Sequence, residues 1–162
     1  MTKLQTLAYG IRFSGNFVAM MADDLSPEQM LHRPCAGANC CAWILGHLVL
    51  SCRGGYKRIG GDAADLPTLP DDDFETRFSR ADDAPAAAEF GDTRGLLQLY
   101  LDTNETLARK VETLGEDVLA EPIDNAPFKT VEQMLAFIPV HTGSHGGHIS
   151  TVRRSLGMPP KI

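Results

Sequence analysis

The chain has 162 residues, 43% of them hydrophobic, which suits one domain (1–162) with a single core. Its formal net charge of -6 argues against a nucleic-acid binder, which carries a basic face. No apolar run is long enough to span a bilayer, and the first residues lack a basic region followed by a clean apolar block, so a cytoplasmic protein without a membrane partner is expected.

The first predicted element is a helix over 3–25, where Leu4, Leu7, Ile11, Val18, Met21 and Leu25 recur at helical spacing. Ser26, Pro27 and Gln29 form a helix-start signal, but Pro34 and Gly37 limit this second element to a short turn. Asn39 is the expected N-cap of a second long helix over about 40–59. Its segment CAWILGHLVL is apolar nearly all round, so periodicity does not tell which way His47 points.

Residues 60–92 change character, with Gly, Pro, Ala and Asp dominating. Phe74 and Phe78 are expected to anchor a short helix over 71–79, with the Asp71-Asp72-Asp73 run as its solvated start rather than a cation site. A third long helix is predicted over 93–114 and stopped by Gly115. After a linker holding Pro122 and Pro127, Thr130 and Gln133 make a capping box for a fourth long helix over 131–156, closed by Gly157. No alternating strand pattern competes. The expected fold class is all-α, a four-helix bundle with a long connection between helices 2 and 3.

Two histidines of the fourth helix, His141 and His145, lie one turn apart and share a face. In the stripe Val131, Leu135, Ile138, His141, His145, Ile149, Val152 they take core positions. Buried ring nitrogens need a partner, and a metal is one, as bundles build metal sites from inward-facing side chains. The alternatives are backbone or water hydrogen bonds, or exposure. Pro139, Gly143, Gly146 and Gly147 are poor helix formers; the stripe keeps phase across them, which favours a kinked continuous helix over a loop at 139–147. The glycines would then let another backbone or a ligand come close. No Glu follows His141, so the HExxH protease pattern is absent. Cys35, Cys40, Cys41 and Cys52 form neither a disulfide framework nor a zinc pattern and are expected to pack as reduced, small apolar residues.

Three segments resemble the DinB-like family of metal-binding four-helix bundles, which includes YfiT-type hydrolases and thiol-dependent transferases. NCCAWILGH, from Asn39 to His47, resembles its second-helix segment; HTGSHGGHI, from His141 to Ile149, resembles its HxxxHxGQI motif. Arg153/Arg154 to Pro159 resembles its Arg-x-x-Leu-Gly-x-Pro ending. The resemblance implies metal ligands at His47, His141 and His145, holding zinc or nickel. His148 stands where the family usually has Gln, as a further ligand or as a group making Gln's hydrogen bonds. His32 is expected to be an ordinary surface residue. Trp43 is expected to pack in the core rather than serve as a substrate platform; Tyr100 either packs or hydrogen-bonds into the site.

The implied function is a metal-dependent hydrolase or thiol-dependent S-transferase acting on a small molecule, with a low-molecular-weight thiol as cosubstrate in the second case. The alternatives are a non-catalytic metal-binding or stress-response bundle and a metal-free interaction protein whose histidines only pack. The resemblance also allows a homodimer.

Overall fold

The computed structural model describes residues 1–79, 90–124 and 127–162. Its helices are α1 (Lys3–Ala22), α2 (Pro27–Met30), α3 (Cys41–Arg58), α4 (Phe74–Ser79), α5 (Thr93–Glu112) and α6 (Val131–Ser155). Short 3-10 turns lie at Ala63–Asp65 and Glu116–Ala120. Among the described residues there is no strand, only an isolated bridge between Pro122 and Thr130. Part of the 60–92 connection and of the linker before α6 lies outside the described residues.

The local chemistry explains where these helices begin. Thr2 and Gln5 form a capping box at α1, and Ser26 and Gln29 form one at α2. Asp92 caps α5 by accepting from the Arg94 amide. Thr130 accepts from the Gln133 amide, but the Gln133 side chain accepts from Lys129 rather than from Thr130, so the box is shifted by one residue. The N-cap expected at Asn39 falls instead on Cys40, whose extended backbone opens α3 without a side-chain cap bond. α1 ends at Ala22, three residues before the predicted end, yet Leu25 remains fully buried beyond it. Asp71 binds the Arg77 guanidinium through both carboxylate oxygens (2.9 and 3.0 Å), so the acidic run starts and ties down α4.

The four long helices pack side by side: α1 against α5 and α6, and α3 against α5 and α6. Ile11, Val18, Met21, Ile44, Leu45, Leu48, Leu107, Leu135 and Ile149 form the core between them, each contributing about 1.5–3 kcal/mol. α3 is buried on most sides, as its sequence implies. No described helix is long and apolar enough to cross a membrane.

α6 runs unbroken through Pro139, whose ring rests against Gly10 of α1. A side chain at Gly10 would crowd the proline (3.2 Å). Gly146 gives room to Phe17, whereas Gly143 and Gly147 face open space. Gly157, at φ 74°, ends the helix. The histidines of α6 depart from their expected core positions. The core face of the helix is built from Leu135, Ile138, Thr142, Gly146, Ile149 and Val152, so His141 and His145 sit at its edge and are half-buried, while His148 is exposed.

Candidate metal centre

α3 and α6 lie side by side, and three histidines meet where they face each other. His47 Nε2 lies 3.4 Å from His141 Nε2, and His141 Nε2 lies 3.1 Å from His145 Nε2. One ring nitrogen from each of the three falls within 4.8 Å of the others. Zinc–nitrogen bonds of about 2.0–2.1 Å at tetrahedral angles put neighbouring nitrogens about 3.4 Å apart, so this spacing suits one ion.

The tautomers point the same way. His47 Nδ1 lies 3.1 Å from the Phe78 carbonyl, which only accepts, so Nδ1 carries the hydrogen and Nε2 turns its lone pair toward the other histidines. Ser51 Oγ, one turn after His47, lies 3.4 Å from His141 Nδ1 and offers it a similar anchor. Such outer contacts are how ligating imidazoles are usually held. His145 Nδ1 is buried without a partner. Converging lone pairs repel unless a proton or a cation lies between them, and a cation serves all three rings at once. Burial first, and then the neighbouring histidines, lower the His145 pKa to about 3; burial and His47 lower that of His141. Both rings are therefore neutral at pH 7, the form that binds metal.

Aromatic rings flank the cluster. Trp43 is buried and stacks on His47 (centroids 4.8 Å apart, planes at 11°). Phe137, 42% exposed, stacks on His141 and is itself met by Phe128. Among the described residues, none of the triad's hydrogen-bond or ring partners is a carboxylate.

The structure brings His47, His141 and His145 together and leaves His148 outside the cluster, edge-on to His145 with centroids 5.5 Å apart. His32 is part-exposed, and its Nε2 lies 3.0 Å from Ser155 Oγ at the surface, away from the cluster. Tyr100 is fully buried beside Thr142 and belongs to the core. Cys40, Cys41 and Cys52 are buried free thiols, and burial pushes Cys52 up to about 12, which keeps it inert. Sequence reasoning missed Ser51 and Phe137. Each lies four residues from a triad histidine on the same helix, which was the available signal.

Gly46 tests how the triad is held. A Cβ there would fall within 2.5 Å of three ring atoms of Phe78, whose carbonyl orients His47. Gly46→Ala is expected to cost about 1–3 kcal/mol by overpacking and about 10–100-fold in metal affinity by releasing His47. Urea unfolding and a zinc titration measure the two losses; an unchanged affinity would remove Phe78 from the support of the site.

The family model described as DinB superfamily matches residues 16–149, a span that contains all three histidines. No curated protein and no solved structure matches the chain.

Proposed function

We propose that this chain, which belongs to the DinB superfamily, is a divalent-metal-dependent enzyme acting on a small molecule, with His47, His141 and His145 as the three protein ligands. The observation that carries this reading is the convergence of three imidazoles, one from α3 and two from α6, at spacings that suit a single ion. We further read the four long helices as a four-helix bundle of the family's type, forming one cytoplasmic domain over 1–162 that is able to pair as a homodimer.

Three neutral ligands leave the charge of the ion intact. When bound, zinc or nickel supplies Lewis acidity and lowers the pKa of a water or thiol that it carries. The residues of the chain do the rest. The Phe78 carbonyl and Ser51 aim His47 and His141. Trp43 and Phe137 give the site an apolar border on two sides. A fourth imidazole would close the coordination, so His148 standing outside the cluster supports an open position for water or substrate. Hydrolysis and thiol S-transfer both suit that arrangement. The lack of a carboxylate among the triad's described partners favours a second reading, a metal-binding or stress-response protein without turnover.

Tag-free protein loaded with zinc or with nickel is expected to hydrolyse a member of an ester and amide panel, or to speed the reaction of a small thiol with an electrophile. The activity should vanish in His47→Ala at the same metal concentration. Metal-loaded protein that is inert in both panels would overturn the enzyme reading in favour of the second.

A further inference from the structure

Beyond the histidine cluster, the last turns of α6 and the loop before α3 form an open surface cavity of about 540 Å³, with Arg154 and His148 exposed along it. Pro34, Cys35 and Asn39 line it from the loop, and His148, Thr151 and Arg154 from the helix. Its one formally charged lining residue is Arg154. A cation facing a mostly apolar cavity without an acid is unusual in a chain of net charge -6.

The neighbouring charges are already matched. Arg153 is paired with Asp24, and Lys161 with Asp23 and Asp24. No such pair is formed by Arg154 among the described residues. The dipole of α6 favours a cation at its C-terminal end, but that does not account for a cavity at the same place.

Two further features point to a ligand. Asn39 Oδ1 is buried without a partner, and an amide can turn either its oxygen or its NH₂ toward what arrives. Asn39 also precedes the N-terminus of α3, which has no side-chain cap bond and so adds positive potential nearby. The wall itself is built in advance. The Arg33 guanidinium donates to the Ala38 carbonyl (2.7 Å), and the Ala38 amide donates to the Cys35 carbonyl (3.1 Å), which closes the loop on itself.

We propose that this cavity is an anion-recognition pocket in which Arg154, with the Asn39 amide, binds the carboxylate or phosphate of an elongated small-molecule ligand whose other end reaches the histidine triad. His148 lines the cavity and meets His145 edge-on, so it joins the two regions. Arg154 lies nine positions after His145, about 13.5 Å of rise and half a turn around α6, so the ligand must follow the groove past His148 and Thr151 and span more than the rise alone. The reach to the triad rests on the proposed metal site; anion binding at Arg154 does not.

The test uses metal-free, full-length protein titrated with inorganic phosphate and, separately, with succinate, at an ionic strength held constant with chloride. Binding is followed through the NMR signals of the Arg154 guanidinium, the His148 ring and the Asn39 amide. Saturable shifts confined to these groups are expected. Arg154→Gln should weaken them by about tenfold or more, the scale of a lost charge-assisted hydrogen bond. Arg154→Lys should retain part of the affinity, and Arg58→Gln, at an exposed arginine outside the cavity, should retain all of it. Saturation by phosphate alone would mark a phosphate-bearing ligand, and by succinate alone a carboxylate-bearing one. Shifts that never saturate, or that are equal in the wild type and Arg154→Gln, would overturn the proposal. A zinc titration of Arg154→Gln keeps the two readings apart: unchanged zinc binding with lost anion binding supports the pocket, whatever the metal is found to do.

Discussion

Alanine at His141 is expected to lower zinc or nickel affinity by more than about 100-fold, since even groups that only orient a ligand cost 10–100-fold when lost. His141 is the central ring of the cluster, with its Nε2 close to both His47 Nε2 and His145 Nε2. Removing it leaves two nitrogens, and among the described residues no other His, Cys, Asp or Glu completes the group. His47→Ala and His145→Ala should lose affinity on the same scale. His32→Ala should not, because that ring is held by Ser155. His148→Gln should largely preserve binding, since His148 lies outside the cluster. A competition titration against a chromophoric chelator reads all five. The metal-free fold gives a second readout. His141 is half-buried at the edge of the core, so His141→Ala should change metal-free stability little. If the histidines only pack, the reverse holds: metal-free stability falls, and no variant alters a metal affinity that was never there.

The second large effect lies at the far end of α6. Arg153 is almost fully buried (2% exposed), paired with Asp24 through both guanidinium arms and donating to the Met21 carbonyl (3.1 Å). The pair fastens the end of α6 to the end of α1. Its two halves are not equivalent. Asp24→Ala leaves a buried guanidinium without its counter-charge, and about 2–3 kcal/mol of stability should be lost, less than for a fully buried pair because the Asp24 carboxylate is 42% exposed. Arg153→Met removes the buried charge and keeps much of the packing. The Asp24 carboxylate, 42% exposed, then turns to water and to Lys161, so the cost should be smaller, about 1–2 kcal/mol. Urea unfolding at pH 7 measures both. Equal losses would mean that packing, not the orphaned charge, sets the cost.

The same pair makes stability depend on pH. The hydrogen bond from Arg153 holds the Asp24 carboxyl at about 2, below its ordinary value. A carboxyl whose pKa is lowered by folding stabilises the protein above its unfolded pKa of about 3.9, and that contribution fades as pH falls through the folded value. The wild type should therefore lose stability between about pH 4 and pH 2, and Asp24→Ala should lose less over that interval.

Much of the fold was legible because it is written in local rules. Ser26 with Gln29, Thr130 with the Gln133 amide, and Gly157 mark helix ends that the structure keeps. The apolar stripe of α6 held its phase across Pro139 because Gly10 of α1 leaves room for the proline ring. The failures are tertiary or nearly so. Asn39 has the stronger capping preference, yet Cys40 takes the cap position and leaves the Asn39 side chain at the cavity. His47 had no readable direction because α3 is apolar all round; it is set by Phe78, thirty-one residues away in the chain. The Arg153–Asp24 pair joins residues 129 apart, and spacing carries no information about such a contact.

The three histidines were nameable from the motif resemblance, but their support was not. Ser51 and the Phe78 carbonyl act through hydrogen bonds that depend on how α3, α4 and α6 dock. The same docking places His148 apart from the cluster and beside the cavity that holds Arg154. His148 thus stands between the two regions proposed to share one ligand.

Metal content tests most directly whether this triad holds an ion. Tag-free protein analysed by mass spectrometry, beside a His141→Ala/His145→Ala variant, is expected to carry about one divalent ion per chain in the wild type and none in the variant. A wild type that stays metal-free even after incubation with zinc and with nickel, or a variant that keeps the same content, would contradict a metal site at the triad.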